Sequence, residues 1–175
     1  MVISTEILDV RDLEKAHDVV DIIQIGSRNM YNYVLLQEAA KFRKPIILKR
    51  GFSATVEEWL SAAEYILAEG HEEVILCERG IRTFETTTRN TLDLNSVAYL
   101  KEMSRLPVMV DPSHGTGKRS LVKAMALAGI MAGADGLLIE THVAPEKAVS
   151  DAIQTISMDT LADILETTST IWRLK

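Results

Sequence analysis

Short apolar runs rich in Val and Ile punctuate the chain, and longer amphipathic stretches separate them. The runs fall at residues 2–8, 21–26, 45–51, 74–80, 108–110 and 135–140. Several are continuous rather than alternating, which predicts strands covered on both faces, as in a parallel sheet. Helices are predicted between them, at about residues 12–19, in a segment ending near Phe42, and at about 55–70, 94–103, 121–131 and 159–172. Thr55-Val-Glu-Glu58 is a Ser/Thr-x-x-Glu capping box, and Gly70 supplies the stop, so that helix is bounded at both ends. The 121–131 segment is apolar apart from Lys123, which predicts a largely buried helix.

Strand followed by helix recurs six times at spacings of roughly 20 to 30 residues, long enough for right-handed crossovers. Strict alternation predicts one α/β domain over residues 1–175 with a parallel sheet, open or closed. The polar residues favour closure. Glu6, Arg28, Lys49, Arg50, Glu78, Arg79, His114 and Glu140 all fall at or just after the C-terminal ends of predicted strands. A TIM-type (β/α) barrel gathers such positions at one mouth, whereas an open doubly wound sheet does not draw on successive strands so evenly.

Composition narrows the function classes. With 175 residues, 47% of them hydrophobic, the chain can bury a sizeable core. Its 25 acidic and 19 basic residues give a net charge of −6, which argues against a general nucleic-acid binder but leaves room for a local phosphate site. The single cysteine, Cys77, excludes an internal disulfide and fits a reducing compartment. Its mid-strand position suits a buried apolar residue better than a nucleophile. No apolar run approaches the ~18 residues of a membrane span, and no signal sequence opens the chain. The expectation is a cytoplasmic protein with no membrane partner.

The stretch from Pro107 to Arg119 concentrates the candidate chemistry. Its apolar run breaks at Asp111-Pro112 and delivers Ser113 and His114 into a Gly-rich turn, before a helix starting near Ser120. A lone histidine there would be an ordinary loop hydrogen-bonder, but two constellations accompany it. Arg28, Lys49, Arg50 and Arg79 form a cationic set suited to phosphate or carboxylate, although any one of them alone would be a surface ion pair. His114, Glu140 and Asp151, with His142 nearby in sequence, offer imidazole and carboxylate donors to Mn, Fe, Zn or Co. Asp151 could equally cap a following turn. Gly115-Thr-Gly-Lys-Arg-Ser120 is not a P-loop, because Pro112 stands where a Gly is needed and Arg119 where a Ser or Thr is needed.

Four ordered motifs carry a family resemblance. They are Ile23-Gln-Ile-Gly-Ser-Arg-Asn29, Lys44-Pro-Ile-Ile-Leu-Lys-Arg-Gly51, Ile75-Leu-Cys-Glu-Arg-Gly-Ile-Arg-Thr83 and Asp111-Pro-Ser-His-Gly-Thr-Gly117. Over essentially its whole length the chain resembles the 3-deoxy-D-arabino-heptulosonate 7-phosphate (DAHP) synthase family, in the branch close to 3-deoxy-octulosonate 8-phosphate synthase. Ser27-Arg28-Asn29 and Arg82-Thr83 point to the former enzyme. The resemblance implies an aldolase-like TIM barrel that condenses phosphoenolpyruvate with erythrose 4-phosphate, the first step of the shikimate pathway of aromatic amino acid biosynthesis. It implies phosphoenolpyruvate binding by Glu6, Gln24, Arg28, Lys49 and Arg79, with Lys49 also a proton donor or acceptor. It further implies a divalent metal, Mn2+ first and Fe2+, Co2+ or Zn2+ as alternatives, ligated by His114, Glu140 and Asp151, so that Lys49 and His114 are the catalytic candidates.

The departures from the family pattern are equally specific. Its fourth metal ligand is a cysteine in a Gly-Pro-Cys context, and its erythrose 4-phosphate site uses a Lys-Pro-Arg-Thr-Ser motif; the chain contains neither, and Cys77 lies in a different segment. The expectation is therefore a (β/α)8-type barrel truncated to about six βα units, lacking the first two. Parallel edges should lie near residues 3–8 and 136–139, inviting self-association into a homo-oligomer. Two other readings stand beside DAHP synthase. One is a catalytically impaired phosphate-binding fragment or assembly partner, and the other is the octulosonate synthase acting on arabinose 5-phosphate.

Overall fold

The computed structural model describes residues 1–173. They form two compact units, Met1–Cys77 and the segment from Glu78 onward. In the first unit, β1 (Ser4–Glu6), β2 (Ile22–Ile25), β3 (Ile46–Lys49) and β4 (Val74–Glu78) pair in parallel and in chain order; the last residue of β4 opens the second unit. Crossovers run through α1 (Val10–Ala16), α2 (Tyr33–Lys41) and α3 (Val56–Ala68). The register sets Glu6 opposite Gln24, Gln24 opposite Ile47, and Lys49 opposite Cys77. Three of the polar residues singled out from the sequence thus occupy the C-terminal ends of three adjacent strands.

β3 is buried along its whole length, as a central parallel strand must be. Leu35, Leu36, Ala39 and Ala40 of α2 and Trp59, Ala62, Ala63 and Ile66 of α3 are the buried faces of the flanking helices. Trp59 is fully buried, and its indole Nε1 donates to the Leu48 carbonyl at 3.2 Å, so the largest side chain of this core carries no orphaned donor. The capping box forms: Glu58 N–H donates to Thr55 Oγ1 at 3.1 Å, and Thr55 N–H donates to Glu58 Oε2 at 2.8 Å. β1 is exposed on both faces and hydrogen-bonds only to β2 among the described residues. It is an edge, as expected.

The second unit contains α4 (Leu94–Met103), β5 (Val108–Val110), α5 (Pro112–Thr116), α6 (Arg119–Met131), β6 (Gly136–Leu137) and α7 (Met158–Trp172). β5 and β6 are parallel, with Met109 opposite Gly136 and Val110 opposite Leu137. Val122, Ala126, Ile156 and Ile164 form its apolar centre. Gly129 lets α6 close on the sheet, since a Cβ there would stand 3.2 Å from Val110.

Three expectations are corrected here. The Gly-rich turn after β5 is a short helix, α5. Asp111 caps it, Pro112 holds its first position, and Gly117 ends it at φ +64. The predicted sixth strand keeps only Gly136–Leu137, because Glu140 N–H leaves the ladder to donate to Ser113 Oγ at 3.1 Å. Nor is α6 largely buried: only the stripe Val122, Ala126, Gly129 and Ile130 is, and Met131 is 66% exposed. A helix laid on a sheet covers one stripe whatever its composition. No helix among the described residues is long and apolar enough to cross a membrane.

Candidate active site

The end of β5 builds the centre of the site. Asp111 is fully buried, and its Oδ1 accepts the His114 backbone N–H at 2.9 Å as the cap of α5. Its Oδ2 lies 2.8 Å from His114 Nδ1. A carboxylate can only accept here, so Nδ1 carries the hydrogen and the neutral ring presents the Nε2 lone pair to an electrophilic partner such as a cation. That Nε2 lies 3.2 Å from Glu140 Oε1 and 3.7 Å from Asp151 Oδ2.

The two carboxylates arrive by different routes. Glu140 follows β6 and is fixed by its backbone, which donates to Ser113 Oγ and accepts from Ile156 N–H at 3.0 Å. Asp151 sits in a turn at φ +51, a left-handed conformation that Asp tolerates better than most residues and that recurs at functional sites. Arg89 Nη1 donates to Asp151 Oδ1 at 3.0 Å. Gly117 makes this reach compatible with the loop, because a Cβ there would stand 2.5 Å from the Arg89 Cβ. Gln154, whose backbone N–H donates to the Asp151 carbonyl at 3.1 Å, is almost fully buried.

His114, Glu140 and Asp151 each offer one ligand atom, all within 4.8 Å of one another. Burial pushes the Glu140 carboxyl above its ordinary range; His114 opposes this, while Asp151 and Asp111 reinforce it. Burial also pushes Asp151 upward, but Gln154, Arg89 and His114 together outweigh it and hold that carboxyl below its ordinary range. Glu140 Oε2 is buried with no hydrogen-bond partner. One imidazole nitrogen, two carboxylates and an unsatisfied carboxylate oxygen fit a borderline-to-hard divalent cation. A cavity of about 430 Å3, lined in part by Glu140, His142, Ser150 and Thr155, opens the Glu140 side to solvent. His142 is not in the cluster; its Nδ1 is engaged by Ala144, whose N–H donates to it at 3.0 Å.

The anion candidates occupy the strand ends of their own units. Lys49 ends β3 and is 6% exposed, an environment in which an ammonium needs an anionic or polar partner. Gln24 faces Glu6 in register, and the Glu6 carboxylate lies directly over Gly26, where a Cβ would stand 1.9 Å from its Oε1. Arg28 is exposed and stacks over Phe52 at 5.7 Å. The Arg50 guanidinium is committed to structure: its Nε donates to the Ala54 carbonyl at 3.0 Å, and the group lies 5.8 Å from the Trp59 ring centroid. In the second unit Arg79 is 3% exposed, immediately after β4.

Sequence reasoning missed the parts played by Asp111, Arg89 and Gln154. For Asp111 a signal existed: Asp-Pro-Ser-His is a cap with Pro at the first helical position, and it places His one turn above the capping carboxylate. Arg89 lies 62 positions from its partner Asp151, and no local pattern announces such a pair.

Comparison with known proteins converges on one family. The family model described as the DAHP synthetase I family matches residues 1–173. A phospho-2-dehydro-3-deoxyheptonate aldolase of Thermotoga maritima is 48% identical over 166 residues, covering 95% of this chain and 49% of that protein. A 2-dehydro-3-deoxyphosphooctonate aldolase of Methylococcus capsulatus is 30% identical over 182 residues, covering 97% of this chain and 62% of that protein. The crystal structure of the Thermotoga maritima enzyme, DAHP synthase, matches with a TM-score of 0.96 at 46% identity, over 98% of this chain and 51% of that one. A truncated form of the Thermotoga maritima enzyme matches equally well, and this chain covers 65% of it. The chain thus spans about half to two thirds of the length of these relatives. Its six βα units match part of a TIM-barrel type fold. By sequence and by fold the chain belongs to the DAHP synthetase I family.

Proposed function

We propose that this chain carries the phosphoenolpyruvate- and metal-binding part of a DAHP synthase. The observation that carries the reading is the cluster of His114, Glu140 and Asp151, with His114 already oriented by Asp111. A divalent cation held there, Mn2+ in the first instance and Fe2+, Co2+ or Zn2+ as alternatives, would supply Lewis-acid polarisation of an aldehyde oxygen. Lys49, Arg28 and Arg79 are the groups that neutralise the phosphate and carboxylate of phosphoenolpyruvate, and Glu6 and Gln24 are further candidates for binding it. Lys49 Nζ is the candidate proton donor to the aldehyde oxygen as the carbon–carbon bond forms, or the acceptor of the proton that the adding water loses. The methylene carbon of phosphoenolpyruvate bonds to the aldehyde carbon of erythrose 4-phosphate, water adds at the enol carbon, and phosphate departs. Positively charged donors fixed in place before the reaction stabilise the charge that develops.

Identity favours this substrate pair over arabinose 5-phosphate, at 48% for the heptonate aldolase against 30% for the octonate aldolase. Cys77, the single cysteine, fits a reducing cytoplasm. The exposed β1 edge supports a homo-oligomer. The test is phosphoenolpyruvate consumption by the purified chain with Mn2+, with either sugar phosphate, with and without chelator. Chelator-sensitive turnover with erythrose 4-phosphate is expected. Turnover with arabinose 5-phosphate alone would move the assignment to the octulosonate synthase. Phosphoenolpyruvate binding without turnover would make the chain an impaired fragment.

A further inference from the structure

Gln154 is a buried neutral side chain in the same turn as Asp151. It is 3% exposed, and its backbone N–H donates to the Asp151 carbonyl at 3.1 Å, so one turn of chain carries both residues. Its side-chain amide lies near the carboxyl groups of both Glu140 and Asp151. Yet its amide nitrogen makes no hydrogen bond of full geometry, and neither does Glu140 Oε2. A buried amide donor and a buried carboxylate acceptor, both unsatisfied, are costly at rest unless another state pairs them. The amide has two N–H donors, one for each carboxylate.

We infer that Gln154 is a positioning residue for the cation site: its amide bridges Glu140 and Asp151, aims one oxygen of each at the position faced by His114 Nε2, and tightens when a cation draws the carboxylates together. The inference rests on the metal-site reading above. A ligating carboxylate needs its remaining oxygen held by a hydrogen-bond donor, and loss of such a donor weakens metal binding by about 10–100-fold. Gln154 supplies that donor to two ligands at once.

The experiment is Mn2+ titration of the 175-residue chain by electron paramagnetic resonance, comparing it with Gln154→Met, which keeps the volume and removes the amide. The expected result is an affinity about 10–100-fold weaker in Q154M, with the metal-free melting temperature unchanged or raised. A residue that only filled space would leave the affinity alone, so equal affinities in the two proteins would overturn the inference. A second measurement needs no variant. On titration with diamagnetic Zn2+, the side-chain amide resonances of Gln154 should shift and gain protection from exchange; unchanged resonances at saturation would also overturn it. An unsubstituted chain that binds neither cation refutes the metal-site reading itself, and this inference with it.

Discussion

The Asp111 carboxylate holds the imidazole of His114 at 2.8 Å through Nδ1, and this contact decides which nitrogen faces Glu140 and Asp151. The same aspartate caps α5 through its other oxygen. One buried side chain therefore sets both the backbone position of the histidine and the direction of its ring.

Asp111→Asn separates the two tasks. Asn caps helices about as well as Asp, so the loss of stability should be small, about 1 kcal/mol or less. The amide no longer enforces the tautomer, and affinity for Mn2+ should fall by about 10–100-fold. Isothermal titration and thermal melting on the same sample measure the two effects.

Lys49→Met tests the anion site at a nearly buried position, since the lysine is 6% exposed. Loss of a charged hydrogen bond, about 1.5–3 kcal/mol, should weaken phosphoenolpyruvate binding by about 10–100-fold. Fluorescence titration of the purified variant gives the dissociation constant, and an unchanged value would remove Lys49 from the site.

Gly26→Ala should act through Glu6. The new Cβ would stand 1.9 Å from Glu6 Oε1, and the exposed Glu6 side chain can swing away more cheaply than the backbone can move. The fold should survive while phosphoenolpyruvate binding weakens by up to about tenfold, the equivalent of one neutral hydrogen bond. The same titration reads the change, with circular dichroism as the control.

The capping box of α3 should leave a mark in the pH profile. The Thr55 backbone N–H and then its hydroxyl hold the Glu58 carboxyl below its ordinary value of 4.5. A carboxyl depressed in the folded state stabilises the fold above its unfolded value, and that stabilisation is lost as the pH falls through the folded value. Thermal melting should therefore show Glu58→Gln below the unsubstituted chain at neutral pH, with the two converging as the pH falls below 4.5 and through the lowered folded value. A constant gap down to pH 2 would contradict the assignment.

The exposed edge makes a prediction about assembly. Ile3 and Ile7 spend their backbone groups on β2, so the alternate residues Ser4 and Glu6 turn theirs outward. Ser4→Pro removes an outward N–H while sparing the β1–β2 ladder. If the chain self-associates through this edge, light scattering at micromolar concentration should show oligomers that the variant reduces. A monomer in both samples would count against edge pairing.

Much of this was legible in the sequence because the signals are local. The Thr55–Glu58 box, the Gly70 stop and the helix Leu94–Met103 depend on neighbours within one or two turns. Lys49, His114 and Glu140 stand out as candidates in the sequence because parallel strands present polar residues at their C-terminal ends. What stayed hidden depends on distant contacts. The early end of β6 follows from a hydrogen bond 27 positions away in sequence, between Glu140 and Ser113. The half-exposed α6 reflects which stripe meets the sheet, and composition does not report that. Gln154 reads as an ordinary polar residue until the fold buries it in the turn that carries Asp151.

A cation at His114, Glu140 and Asp151 is the feature on which the proposed chemistry depends most directly. Crystals of the chain soaked with Mn2+, with data collected at an energy where manganese scatters anomalously, would locate it. One strong peak is expected within bonding distance of His114 Nε2 and of one oxygen from each carboxylate. Saturating Mn2+ with no peak there, or with His114 turned away from it, would refute a metal site at these residues.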